Sequence, residues 1–197
     1  MLISTNDLEF FTHQVRDATL KCWTEVIHEI PDPYAFALFT TESPVGIIPS
    51  IGTISGLKTQ IANIDMSRIW PNEMDAILRW DYCSWDFLNM GLDFFPITND
   101  FFDPFKVDAL PAVLAAMTSA MADLRKKVPP DIFLIVSVHD SIFTSRIEHA
   151  SANFLNPQRL YTKFALENAP DDERETDSKN FFKSYVDYCG LLNLNFG

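Results

Sequence analysis

The chain has 197 residues, with 15 Lys and Arg set against 27 Asp and Glu, for a formal charge of −12; 47% of it is hydrophobic and it contains 17 Phe. That is enough apolar material for one sizeable core, which excludes wholesale disorder and favours a single domain over residues 1–197. An acidic surface disfavours nucleic acid or an anionic membrane as the main partner, since both demand clustered Lys and Arg, and it points instead to something basic.

In chain order, residues 6–30 place Leu8, Phe11, Val15, Ala18, Cys22, Val26 and Ile30 at three- and four-residue steps, with Asn6 and Glu9 spaced as a capping box and Pro31 as a stop. This predicts a long amphipathic helix. Residues 34–40 and 45–50 are short apolar runs around Thr41-Glu42-Ser43-Pro44 and predict a hairpin. Residues 55–64 are weakly helical, and residues 71–90 read as one or two helices that stop at Gly91. Residues 92–105 hold two Pro, three Asp and five Phe without a period of 2 or 3.6, so they form an aromatic loop.

Asp108 is placed to cap a helix whose inner face is Leu110, Val113, Met117, Met121 and Leu124, with Pro111 in its first turn and Arg125 at its negative end. Residues 131–139 contain the run Ile-Phe-Leu-Ile-Val-Ser-Val, apolar on both faces, which predicts a strand in the middle of the sheet with both sides covered. Helices follow at 141–154 and 157–168, then a charged connector at 171–177, a helix from Ser178 to a stop at Gly190, and a last short strand through Leu192, Leu194 and Phe196. The expected class is α+β, with a small, mostly antiparallel central sheet flanked by several helices.

Three scattered cysteines, Cys22, Cys83 and Cys189, cannot close a disulfide framework and suit a reducing, cytoplasmic setting. The first residues lack signal-peptide character, and the longest apolar runs, 132–136 and 112–117, fall far short of the roughly 20 residues that cross a bilayer.

Candidate chemistry is sparse. Gly52 to Thr59 faintly resembles a phosphate-binding loop, but three residues rather than four separate its glycines and Leu57 intervenes before Lys58, so a strand-to-helix turn is the better account. His13, Cys22 and His28 share a helix yet diverge around it, so no metal is expected there, and no cofactor is expected anywhere. His139, Asp140, Glu148 and His149 form one enzyme-like cluster after the apolar strand; a helix cap at Asp140 or Ser141 explains those residue types more simply. Trp80 and Trp85 would stand about 140° apart on a helix, which puts at least one in the core.

Two surfaces remain. Phe94, Phe95, Phe101, Phe102 and Phe105 lie among Asp93, Asp100 and Asp103, a composition suited to gripping a basic protein, though such rings also close over cores. Asp171, Asp172, Glu173 and Glu175 could steer a cationic partner. No catalytic residues are assigned.

The run Tyr34-Ala-Phe-Ala-Leu-Phe-Thr40, then Thr53, Arg79-Trp80 with Trp85 five residues on, and the strand 132–138 ending in Asp140 together resemble a little-characterised bacterial domain-of-unknown-function family of small acidic proteins. Some families of this kind are similar in size, acidity and genomic company to the immunity proteins of polymorphic toxin systems, including those of the SUKH type. The resemblance implies an α+β fold and an antitoxin-like role without catalysis. The expectation is therefore an acidic binding protein, an immunity protein that masks a basic toxin. A small hydrolase or modifying enzyme using residues 139–149, or a regulatory interaction module, is the alternative.

Overall fold

Ser4 opens the first helix: its Oγ accepts from the Asp7 amide at 3.2 Å and donates to Asp7 Oδ2 at 2.7 Å, so the cap lies two residues upstream of the Asn6/Glu9 spacing. The computed structural model describes residues 3–63, 71–106, 108–168 and 175–195. Helix α1 (Thr5–Val26) buries Leu8, Phe11, Val15, Ala18, Cys22 and Val26, and Ile30 follows them into the core after one 3-10 turn. The 3.6-residue stripe thus became a buried face in full.

Strands β1 (Pro33–Thr41) and β2 (Ile48–Thr53) form the expected antiparallel hairpin, with Phe36 opposite Ile51, and α2 (Ile54–Asn63) leaves β2 without a break. Helix α3 (Pro71–Trp80) ends earlier than the expected 71–90, and a two-residue strand β3 (Phe87–Leu88) follows. The cause lies at Asp81, whose carboxylate accepts from the Cys83 amide and the Ser84 hydroxyl and turns the backbone out of the helix. Tyr82 and Trp85 are thereby buried along with Trp80. Gly91 does adopt a left-handed conformation (φ 78°), but it closes the turn after β3 and ends no helix.

Helix α4 (Ala109–Arg125) begins at Asp108, whose side chain makes no cap, and is buried almost all round, because Ala112, Ala115, Ala116 and Ala120 let α1, the sheet and α7 approach its other sides. At its end Arg125 bonds the carbonyls of Val128, Pro129 and Ile132, which ties down the turn into β4 (Phe133–His139). Helices α5 (Thr144–Leu155), α6 (Gln158–Glu167) and α7 (Glu175–Leu191) complete the chain. Helix α7 runs through Gly190, and the left-handed residue beyond it is Asn193 (φ 60°), where the Leu194 amide returns to the Cys189 carbonyl. Leu192 and Leu194 therefore pack on the core as a helix-end turn, where a strand was expected.

The sheet order is β3-β2-β1-β4; β1 pairs with β2 and β2 with β3 antiparallel, and β1 with β4 parallel. The class is α+β. Alternation sends Phe36, Leu38, Leu134, Val136 and Val138 toward α1 and α4, and Ala35, Ala37, Phe39, Phe133 and Ile135 toward Trp80, Tyr82, Trp85 and Phe164.

Strand β4 is covered on both faces as expected, yet it is an edge strand and not a central one. The open edge is sealed by side chains. Asn156 Oδ1 accepts from the Leu134 amide at 2.8 Å while its Nδ2 donates to the Leu134 carbonyl at 2.7 Å. Ser151 Oγ does the same for Val136, and Thr144 Oγ1 donates to the Val138 carbonyl. Three polar side chains in and just after α5 take the place of a neighbouring strand.

Candidate functional site

The aromatic loop turns most of its rings inward. Phe95 is buried, Phe101 and Phe102 each stack edge-on against Phe11 at 5.1 Å, and Phe94 lies half-buried beneath Lys21 Nζ at 4.2 Å. Asp93, Asp100 and Asp103 stay exposed. The loop therefore does not present a five-ring face; its Phe residues close a hydrophobic layer, since each buried ring removes a large apolar area from water. Phe105 is the exception at 75% exposure, held by an Asp103 carboxylate that accepts from its amide at 3.0 Å. Of the acidic run, Asp171, Asp172 and Glu173 lie outside the described residues, and Glu175 opens α7.

Phe105 forms one wall of a groove of about 460 Å³. Pro104, Leu110 and Pro111 come from the start of α4 and the loop before it, Phe143 from the segment after β4, Phe181 from α7, and Glu42 and Ser43 from the hairpin tip. Phe143 and Phe181 are stacked face to face at 3.9 Å and make a rigid apolar floor. A smaller recess of about 170 Å³ shares Ser184 and adds Asp108, Asp187 and Tyr188. Burial and the Asp108 carboxylate push the Tyr188 phenol up to about 12. The groove lies beyond the carboxyl ends of the parallel pair β1 and β4, where α/β crevices form because the connections diverge. Its size falls in the range of ligand pockets; its own charged residues, Glu42 and Lys106, offset each other, and the acidic balance of this face comes from Asp108 and Asp187 of the adjoining recess. Composition could not have located it, because its walls come from four separate segments.

The enzyme-like cluster does not converge. Glu148 turns into the core to Ser137 Oγ at 2.6 Å, and Tyr82 OH lies 2.8 Å from the same hydroxyl. Burial lifts the Glu148 carboxyl to about 7, against the opposing hydrogen bonds from Ser137 and Asn168. His149 faces the Asn168 carbonyl at 2.7 Å and the Phe164 ring. His139 and Asp140 stay at the surface, where His139 Nε2 meets Asp140 Oδ2 at 3.2 Å. Asp140 is in the left-handed region (φ 54°) and caps no helix; Ser141 Oγ instead accepts from the Phe143 amide. A residue the pattern did not connect to this cluster, Cys83, brings its Sγ to 3.3 Å from His139 Nδ1.

The loop at Gly52 to Thr59 is a strand-to-helix turn whose anion seat is occupied from within. Asp86 accepts from the Thr53 amide at 3.1 Å and the Thr53 hydroxyl at 2.6 Å, and its carboxylate packs against Gly56 where a Cβ would stand. His13 pairs with Asp17 at 3.1 Å, and among the described residues no group of three His, Cys, Asp or Glu could hold a metal ion. No helix among the described residues is long and apolar enough to cross a membrane. The chain matches no family model, and no curated protein and no solved structure matches it.

Proposed function

We propose that this chain is a non-catalytic acidic binding protein that holds a basic protein partner in the groove between Phe105 and Phe181. The observation that carries the reading is the pairing of an apolar floor with an acidic neighbourhood: a three-quarters-exposed Phe105 beside stacked Phe143 and Phe181, with Glu42 in the lining and Asp108 and Asp187 in the adjoining recess outnumbering Lys106. A cationic segment carrying an aromatic or aliphatic side chain satisfies both, because the ring fills the groove while the carboxylates meet Lys or Arg. The resemblance to small acidic bacterial families extends the proposal to the partner's identity as a toxin domain, masked by occlusion and with no chemistry done on it.

The test uses two labelled peptides of matched length, one built from Lys, Arg and a single Phe, the other with Glu in place of every base. Fluorescence anisotropy is expected to show binding of the basic peptide alone. Phe105→Ala should weaken it by about tenfold, the effect of losing one anchor of roughly 1.4 kcal/mol. Equal binding of both peptides, or an unchanged affinity in Phe105→Ala, overturns the groove assignment. The toxin element is tested by co-expression with basic bacterial toxin domains: growth protection that Phe105→Ala abolishes supports it, and no protection, or protection that survives the substitution, counts against it.

A further inference from the structure

Away from the groove's apolar floor, the turn after α3 lays Cys83 against the last residue of β4. Cys83 Sγ stands 3.3 Å from His139 Nδ1, and Asp140 Oδ2 stands 3.2 Å from His139 Nε2. A carboxylate only accepts hydrogen bonds, so the ring hydrogen belongs on Nε2, which leaves the Nδ1 lone pair toward the thiol. The order is nucleophile, base, orienting carboxylate, and the left-handed backbone of Asp140 is what folds its side chain back onto the preceding imidazole. Cys22 and Cys189 are fully buried, whereas Cys83 is half-buried and His139 is 43% exposed.

We propose that Cys83 is a thiol-exchange site, with His139 as its base and Asp140 as a positioning residue, that takes up small cationic disulfides. The sulfur attacks one sulfur of the reagent and its proton passes to His139 Nδ1. As the new S–S bond forms the reagent's own S–S bond breaks, and the departing thiolate takes the proton from His139 and leaves as a neutral thiol. One disulfide is exchanged for another, so the disulfide itself is the sole oxidant. Burial, reinforced by the nearby carboxylates of Asp81 on the turn, Asp140 after β4 and Glu148 on α5, pushes the thiol up to about 11. The resting group is thus a neutral thiol that needs its base at the moment of attack, and its surroundings attract a cationic reagent while repelling an anionic one.

The experiment treats the whole protein with cystamine, a dication, or with oxidised glutathione, an anion, and follows adducts by intact mass and peptide mapping across pH. The expected result is a single adduct on Cys83, absent in Cys83→Ser. Cystamine should react about tenfold faster at low salt, the order of one charge contact in water, with the gap narrowing as salt screens it. The wild-type pH–rate profile should depart from that of thiolate formation alone, because the base lets the neutral thiol react. In His139→Gln the rate should fall on the order of 100-fold and its profile should follow thiolate formation alone. Asp140→Asn, at a position 88% exposed and safe for folding, should lower the rate and draw the profile toward that of thiolate formation. Labelling spread over Cys22 and Cys189, no preference for the cation, or an unchanged pH profile in either folded variant overturns the proposal.

Discussion

Glu148 is the titratable side chain with the clearest consequence for stability. In the unfolded chain its carboxyl has the ordinary value of 4.5, and in the fold, buried against Ser137, it keeps its proton up to about 7. Between those values the folded state binds more protons than the unfolded one, so this group's contribution is fully present below about pH 4.5 and lost by about pH 7. The span corresponds to about 3 kcal/mol. Glu148→Gln keeps a neutral hydrogen-bonding end and should remove that loss. Urea midpoints are expected to show the variant gaining on the wild type by up to about 3 kcal/mol between pH 5 and pH 8. Parallel behaviour over that interval would locate the pH dependence elsewhere. Residue chemistry alone singled out His139, Asp140 and Glu148, because strong polar groups after an apolar strand stand out. It could not supply Cys83, which lies 56 positions away from His139 and reaches it only because Asp81 ends α3 where it does.

Helix α5 acts as the missing neighbour of β4. The Leu134 and Val136 amides and carbonyls would be orphaned at the sheet edge without Asn156 and Ser151, and an unpaired buried backbone group costs about 1–3 kcal/mol. Asn156→Ala removes the partner of both Leu134 groups and should destabilise the protein by about 2–4 kcal/mol in urea titration, counting each orphan toward the low end. Asn153→Ala, at an exposed position of the same helix, should stay within about 0.5 kcal/mol. Equal effects of the two would sink the sealing role. The apolar run of β4 foretold burial on two faces because side chains report faces. It was silent about the edge, since hydrogen bonds along a strand are a backbone property that no side-chain pattern encodes. The same limit explains α4: its stripe of Leu and Met was legible, while the burial of its other sides by α1 and α7 depended on alanines whose smallness matters only once a neighbour arrives.

For the molecule as a whole, a charge of −12 sets up long-range attraction for a cation, whereas the groove determines how long it stays. These roles separate in kinetics. Raising salt from 0.1 M to 1 M shortens the screening length from about 10 Å to about 3 Å, and association with the basic peptide should slow several-fold with dissociation little changed. Stopped-flow measurement should show the reverse pattern for Phe105→Ala, faster dissociation at a nearly constant association rate. A salt effect confined to dissociation would contradict electrostatic steering.

What the linear pattern determined was local and periodic: the buried face of α1, the β1–β2 hairpin, the two-sided burial of β4, the acidic character and the α+β class all rest on neighbours within a few positions. What the tertiary structure decided was non-local. It turned the loop phenylalanines onto Phe11, gathered Glu42, Phe105, Phe143 and Phe181 around one groove, filled the α2 entrance with Asp86, and set Cys83 beside His139. Each of these joins segments whose approach depends on how whole elements pack, and packing is a property of shapes in contact that residue order along the chain does not carry.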